Sequence, residues 1–74
     1  MFNKINEKIR HYETMVEVNE EIIANRREEI KATTSEYMQD LYKSTIRAMQ
    51  AQIDVYYQVI KDLKEIQEEA YTEE

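Results

Sequence analysis

The chain has 74 residues with no glycine, no proline and no cysteine, and its formal net charge at pH 7 is −6. Sheets and loop-rich folds need glycine and proline at their turns, and disulfides and Cys–His zinc sites need cysteine, so the composition excludes all of these. The longest apolar runs are three residues, far short of a membrane span. We therefore expect a single all-α domain, residues 1–74, that is cytoplasmic and does not enter a membrane.

The first predicted helix covers about residues 3–32 and carries a heptad repeat. Its apolar residues recur at alternating steps of three and four, which is typical of a coiled-coil seam. Heptad position a holds Phe2, Ile9, Val16, Ile23 and Ile30, and position d holds Ile5, Tyr12, Asn19 and Arg26. A buried Asn19 is expected to select the register of the seam, and Arg26 to lie along Ile46 and stack on Tyr42.

The stretch KATTSEYMQ, residues 31–39, is predicted to contain a turn at about residues 33–36. Continuing the first seam through this stretch would place Asp40, Ser44 and Arg47 in the core, so one continuous helix is disfavoured. Thr33 and Glu36 match a capping box, in which the threonine side chain caps the second helix.

The second predicted helix covers about residues 35–70 and has its own seam, followed by an acidic tail at 71–74 that is expected to fray. The seam residues are Ile46, Ile53, Ile60 and Gln67 at position a and Tyr42, Met49, Tyr56, Leu63 and Ala70 at position d. Pairing Ile23 with Met49 and Val16 with Tyr56 centres the connection near residue 36. The sequence thus predicts an antiparallel helical hairpin of two long amphipathic helices.

A second apolar stripe runs beside the seams. It consists of Met15, Val18, Ile22, Leu41, Ala48, Val55, Val59 and Ile66. An apolar arc this wide is typical of bundles with more than two helices. We expect the stripe to join two hairpins into a homodimeric four-helix bundle, with docking onto a different protein as the alternative.

No pattern of catalytic or metal-binding residues is present. The single histidine, His11, lies one helical turn after Glu7, and this pair is interpreted as a surface contact because a metal site needs more ligands. Nucleophilic catalysis lacks a cysteine and a histidine close to any serine. The expectation is a non-enzymatic protein without a metal or other cofactor.

Acidic side chains supply the functional hypothesis. The row on the first helix contains Glu13, Glu17, Glu20 and Glu21, and Tyr57 is a candidate to contact the same partner. These residues predict an inhibitor or adaptor, of the kind that viruses and plasmids encode, which binds and modulates a larger and basic protein. A merely solvated face is the alternative for the row. A second acidic set on the other helix contains Asp54, Asp62, Glu65, Glu68 and Glu69.

Three other functions stay open: a small structural subunit, a secretion chaperone, and a nucleic-acid-binding dimer. The last is similar, in architecture alone, to Rop, a plasmid copy-number regulator whose acidic dimeric hairpin binds RNA. The six tyrosines suit stacking on unpaired bases, but the net negative charge disfavours nucleic acid as a partner.

Overall fold

The computed structural model describes the backbone of residues 2–73 and the side chains of residues 4–70. Helix α1 spans Phe2–Ala32 and helix α2 spans Glu36–Glu73. The two helices pack against each other as an antiparallel hairpin with principal extents of 60 × 15 × 12 Å. The predicted all-α hairpin is therefore confirmed. Within the described residues, neither helix has a stretch that is long and apolar enough to cross a lipid bilayer.

Helix α2 continues to Glu73, beyond the predicted end near residue 70. Residues of high helix propensity and the lack of any proline allow this extension. The side chains of residues 71–74 lie outside the described residues, and the fraying of this tail stays a prediction.

The core consists of the two predicted seams. Its buried apolar side chains all occupy heptad position a, and they are Ile9, Val16, Ile23, Ile46, Ile53 and Ile60. Half-buried residues that pack against them, most of them from position d, are Ile5, Tyr12, Ile30, Met49, Tyr56 and Leu63. β-Branched residues at position a suit a two-helix seam because their stiff side chains fill the holes of the facing helix. The side chain of Phe2 lies outside the described residues.

Two polar residues interrupt the seam of α1, and each has a partner on α2. Asn19 is only 4% exposed, and its Nδ2 donates a hydrogen bond to Oε1 of Gln52 at 2.8 Å. The guanidinium carbon of Arg26 lies 5.9 Å from the centre of the Tyr42 ring, which confirms the predicted stacking. Arg26 also forms an ion pair with Glu29. Asn19 is thus a satisfied buried polar group, and Arg26 is a half-buried one with partners on both helices.

Ser35 caps α2, so the predicted capping role of Thr33 is wrong. The backbone N–H of Met38 donates to Oγ of Ser35 at 3.3 Å, and the N–H of Gln39 donates to the Ser35 carbonyl at 3.0 Å. This is the geometry of an N-cap serine. The turn is accordingly residues 33–35 and the helix begins at Glu36.

Thr33 cannot cap α2 because its backbone still completes α1. Its N–H donates to the carbonyl of Glu29 at 3.0 Å. Its side chain instead supports the turn, since Oγ1 accepts the N–H of Ser35 at 3.2 Å, and its carbonyl accepts a hydrogen bond from Nε2 of Gln39 at 3.1 Å. Thr33 therefore closes one helix while Ser35 opens the next.

Candidate interaction surfaces

The hairpin has two broad sides, which the heptad positions distinguish. In an antiparallel pair, the g positions of both helices lie on one side of the seam and the e positions on the other. Two hydrogen bonds between the helices mark these sides. The bond from Asn19 to Gln52 lies on the g side, and the bond from the Tyr57 hydroxyl to Oε1 of Glu20, at 3.4 Å, lies on the e side.

The g side carries the predicted second stripe, and we call it the apolar face. It comprises the g and c positions of both helices that hold Met15, Val18, Ile22, Leu41, Ala48, Val55, Val59 and Ile66. The heptad register sets Met15 across the seam from Val59 and Ile22 across from Gln52. The structure thus brings the apolar residues of the two helices together on one side of the molecule.

Much of the apolar face is open to solvent in a single hairpin. Val55 is 59% exposed, and Val18, Leu41 and Ile66 are also among the exposed large hydrophobic residues. Met15, Ile22 and Val59 are half-buried and Ala48 is exposed. A contiguous apolar surface on a small protein marks a contact surface.

The opposite side carries the predicted glutamate row and Tyr57, and we call it the acidic face. Glu13, Glu17, Glu20 and Glu21 are all exposed. No lysine or arginine occurs from residue 11 to residue 25. Among the side chains of residues 4–70, these glutamates form no ion pair. The row therefore presents its negative charge to solvent rather than to a basic side chain of the same chain.

Tyr57 lies beside this row as a half-exposed aromatic residue. Tyr57 is 53% exposed, and its hydroxyl donates a hydrogen bond to Glu20. The negative charge of Glu20 raises the pKa of Tyr57, with smaller contributions from desolvation and from the hydrogen bond. Tyr57 thus remains a neutral hydrogen-bond donor whose ring is available to a partner.

Basic side chains near the turn are partly neutralised. Arg26 pairs with Glu29, and Lys31 Nζ lies 3.4 Å from a carboxylate oxygen of Glu28. The hydrogen bond to Glu29 is the main cause that raises the pKa of Tyr42, followed by desolvation. Among the described side chains at this end of the hairpin, Arg27, Lys43 and Arg47 form no ion pair.

His11 packs against an aromatic neighbour. Its ring lies edge-on to Tyr12, with the ring centres 5.4 Å apart and an interplanar angle of 67°. Among the described side chains, the expected contact between His11 and Glu7 is not made, although both line an open groove on α1. Within the described residues, no three His, Asp or Glu side chains converge to hold a metal ion.

Gln52 is the residue of these surfaces that the sequence reasoning missed. Gln52 occupies a g position of α2 among the residues of the second stripe, and its side-chain oxygen accepts the hydrogen bond of the buried Asn19. The signal was available, because a g residue of one helix borders a d residue of the other in an antiparallel pair.

Comparisons with protein-family models, with curated proteins and with solved structures find no match to this chain.

Proposed function

We propose that this protein is a small, non-enzymatic interaction protein that binds a larger, basic protein through its acidic face and modulates that protein. The observation that carries the proposal is the exposed and unpaired glutamate row with Tyr57 beside it. By occupying a basic surface of the larger protein, the hairpin would either inhibit that protein or recruit it, as an inhibitor or an adaptor does.

The glutamate row reduces the stability of the helix that carries it. Glu13, Glu17 and Glu21 follow each other at i,i+4 spacing, and such like-charged pairs destabilise a helix by about 0.2–0.5 kcal/mol each. Among the described side chains, none of these three glutamates forms an ion pair with a basic residue. A basic partner would relieve this repulsion, which supports a role in binding over a role in folding.

The composition of the acidic face suits a protein partner. Tyrosine is enriched among the residues that dominate binding energy at interfaces, and Tyr57 has an exposed ring with an oriented hydroxyl. The surrounding carboxylates repeat at about one helical turn, roughly 5.4 Å, and so present a regular negative charge as a nucleic-acid backbone does. A basic cleft that normally binds nucleic acid is the kind of surface they would complement.

The proposal is tested by affinity capture from the native host's lysate, with and without nuclease. The test variant Glu13→Gln/Glu17→Gln/Glu21→Gln neutralises the row, and the control variant Asp62→Asn/Glu65→Gln/Glu69→Gln changes the net charge equally on α2. We expect one stoichiometric protein to be captured by the wild type and the control, with or without nuclease, and to be lost with the test variant.

Two outcomes would contradict the proposal. Equal loss of capture with the control variant would show that net charge, rather than the acidic face, is responsible. Capture of nucleic acid alone by a defined dimer would favour the Rop-like alternative, and such binding would weaken steeply as the salt concentration rises.

A further inference from the structure

We infer that the apolar face is covered by a second copy of this chain, so that two hairpins pack face to face and their acidic faces point outward in opposite directions. This inference goes beyond the proposed function, since one hairpin would be sufficient to present one acidic face. A dimer of this kind would offer two identical acidic faces and hold two partner molecules on opposite sides.

The core of a single hairpin is thin. Among the described residues, six apolar side chains are buried and none of them is completely removed from solvent. At the same time, large residues of the apolar face such as Val55 and Ile66 remain more than half exposed. Small domains without disulfides or metals commonly gain the missing burial by oligomerisation. Covering the apolar face is the available source of additional burial.

The distribution of charge favours a second copy as the occupant. A chain with a net charge of −6 can meet its own copy only through a surface that keeps its acids apart, because like charges repel. The g and c positions within residues 15–22 and 41–59 hold no charged residue. The glutamate row lies on the other side, where a basic partner is the complementary occupant. The apolar face is thus the side suited to self-association.

The size of the face also fits a dimer. The broad side of the hairpin measures 60 × 15 Å, an envelope of roughly 900 Å², and its apolar part from Leu41 to Ile66 covers roughly 570 Å² at 1.5 Å per residue. Standard interfaces bury about 600–1,000 Å² on each partner. The whole broad side therefore lies within this range, while its apolar part alone falls just below it, so an interface of standard size would also include the flanking residues of the same side.

The apolar segments of the two helices have the same centre along the hairpin. In the heptad register, Val18 on α1 lies at the level of Val55 on α2, and each is near the middle of the apolar segment on its helix. A two-fold rotation therefore places apolar residues on apolar residues in both copies and keeps the charged ends at the rim. Such self-complementarity is what an isologous interface requires.

The mass of the purified protein in solution tests the inference. Light scattering at micromolar concentrations is expected to give twice the chain mass of 9.0 kDa. Ala48→Glu adds a carboxylate to the apolar face and should weaken the dimer about 100-fold or more, because two charges would be desolvated. Ala51→Glu is the matched control, since Ala51 is also exposed on α2 but lies outside the apolar face, and it should remain dimeric.

Because the chain has no cysteine, single-cysteine variants provide a second measurement. Under mild oxidation, Val55→Cys alone or mixed with Val18→Cys should form disulfide-linked dimers, whereas Gln50→Cys on the e side should not. A wild-type mass of 9.0 kDa, an assembly larger than a dimer, or equal cross-linking through Gln50→Cys would overturn the inference. These readouts need no partner, so their failure is distinct from failure of the proposed function.

Discussion

The substitution Ile53→Asp tests the seam on which the hairpin depends. Ile53 occupies position a of α2, is 8% exposed and belongs to the cluster of buried residues shared by both helices. Aspartate at this position removes the apolar side chain from the core and leaves a carboxylate without a basic neighbour. We expect the hairpin to unfold.

The expected magnitude follows from burial and chain length. Losing a buried isoleucine costs about 2–5 kcal/mol by analogy with truncation to alanine, and an uncompensated buried charge adds about 3–5 kcal/mol. A chain of 74 residues has a free energy of unfolding of roughly 4–11 kcal/mol. The combined loss is comparable to the whole stability, so a residual cooperative transition is not expected.

Circular dichroism and thermal melting measure this loss directly. Ala51→Asp is the control, because it places the same charge two residues away at an exposed position of α2. We expect the control to change stability by about 1 kcal/mol or less, mainly through helix propensity. If Ile53→Asp kept the helicity, melting temperature and molecular mass of the wild type, the assigned register of the two seams would be wrong.

Further substitutions test the cap of α2, the buried polar residue of the seam and the acidic face. Ser35→Ala should lower the free energy of unfolding by about 1 kcal/mol, and Thr33→Ala by less, in urea titrations; the reverse order would restore Thr33 as the cap. Asn19→Leu should raise the melting temperature, since the exposed partner amide can turn to water; a decrease would contradict this reasoning. Glu20→Gln should lower the pKa of Tyr57 toward 10, followed by NMR titration of its ring; an unchanged pKa would remove Glu20 as the cause.

Proton linkage gives the direction of the effect at Tyr57. The pKa of Tyr57 is raised in the folded state, so its stabilising contribution is present below the unfolded value near 10 and is lost as the pH rises through the folded value. The group is exposed, and the effect is therefore confined to strongly alkaline solutions. Glu20→Gln should reduce this alkaline loss of stability.

The hairpin and its core could be predicted from the sequence because both depend on a local period. Without glycine or proline the chain has few places to break, and Ile9, Val16 and Ile23 recur at the repeat that one helix face presents. The seam of α2 is out of phase with that of α1, which required a turn between them. Burial of every one of the predicted a-position isoleucines from 46 to 60 agrees with this local reasoning.

The cap could not be assigned from the sequence, because three adjacent residues, Thr33, Thr34 and Ser35, all have side chains that can cap a helix. Which of the three residues caps α2 depends on where α1 makes its last backbone hydrogen bond. In the folded hairpin that bond runs from Thr33 to Glu29, and this leaves Ser35 as the cap of α2.

The sequence by itself determined that the chain is helical, that it folds back once, and which residues form the seam, since apolar period and helix propensity act over a few turns. The stacking of Arg26 on Tyr42 across the seam was also predicted, but only the tertiary structure decided which polar side chains form hydrogen bonds between the helices. The heptad register places Asn19 near Gln52 and Glu20 near Tyr57, but whether these side chains form hydrogen bonds depends on the relative rotation of the two helices. That rotation separates an apolar face from an acidic face, because it brings the g positions of both helices to one side and the e positions to the other.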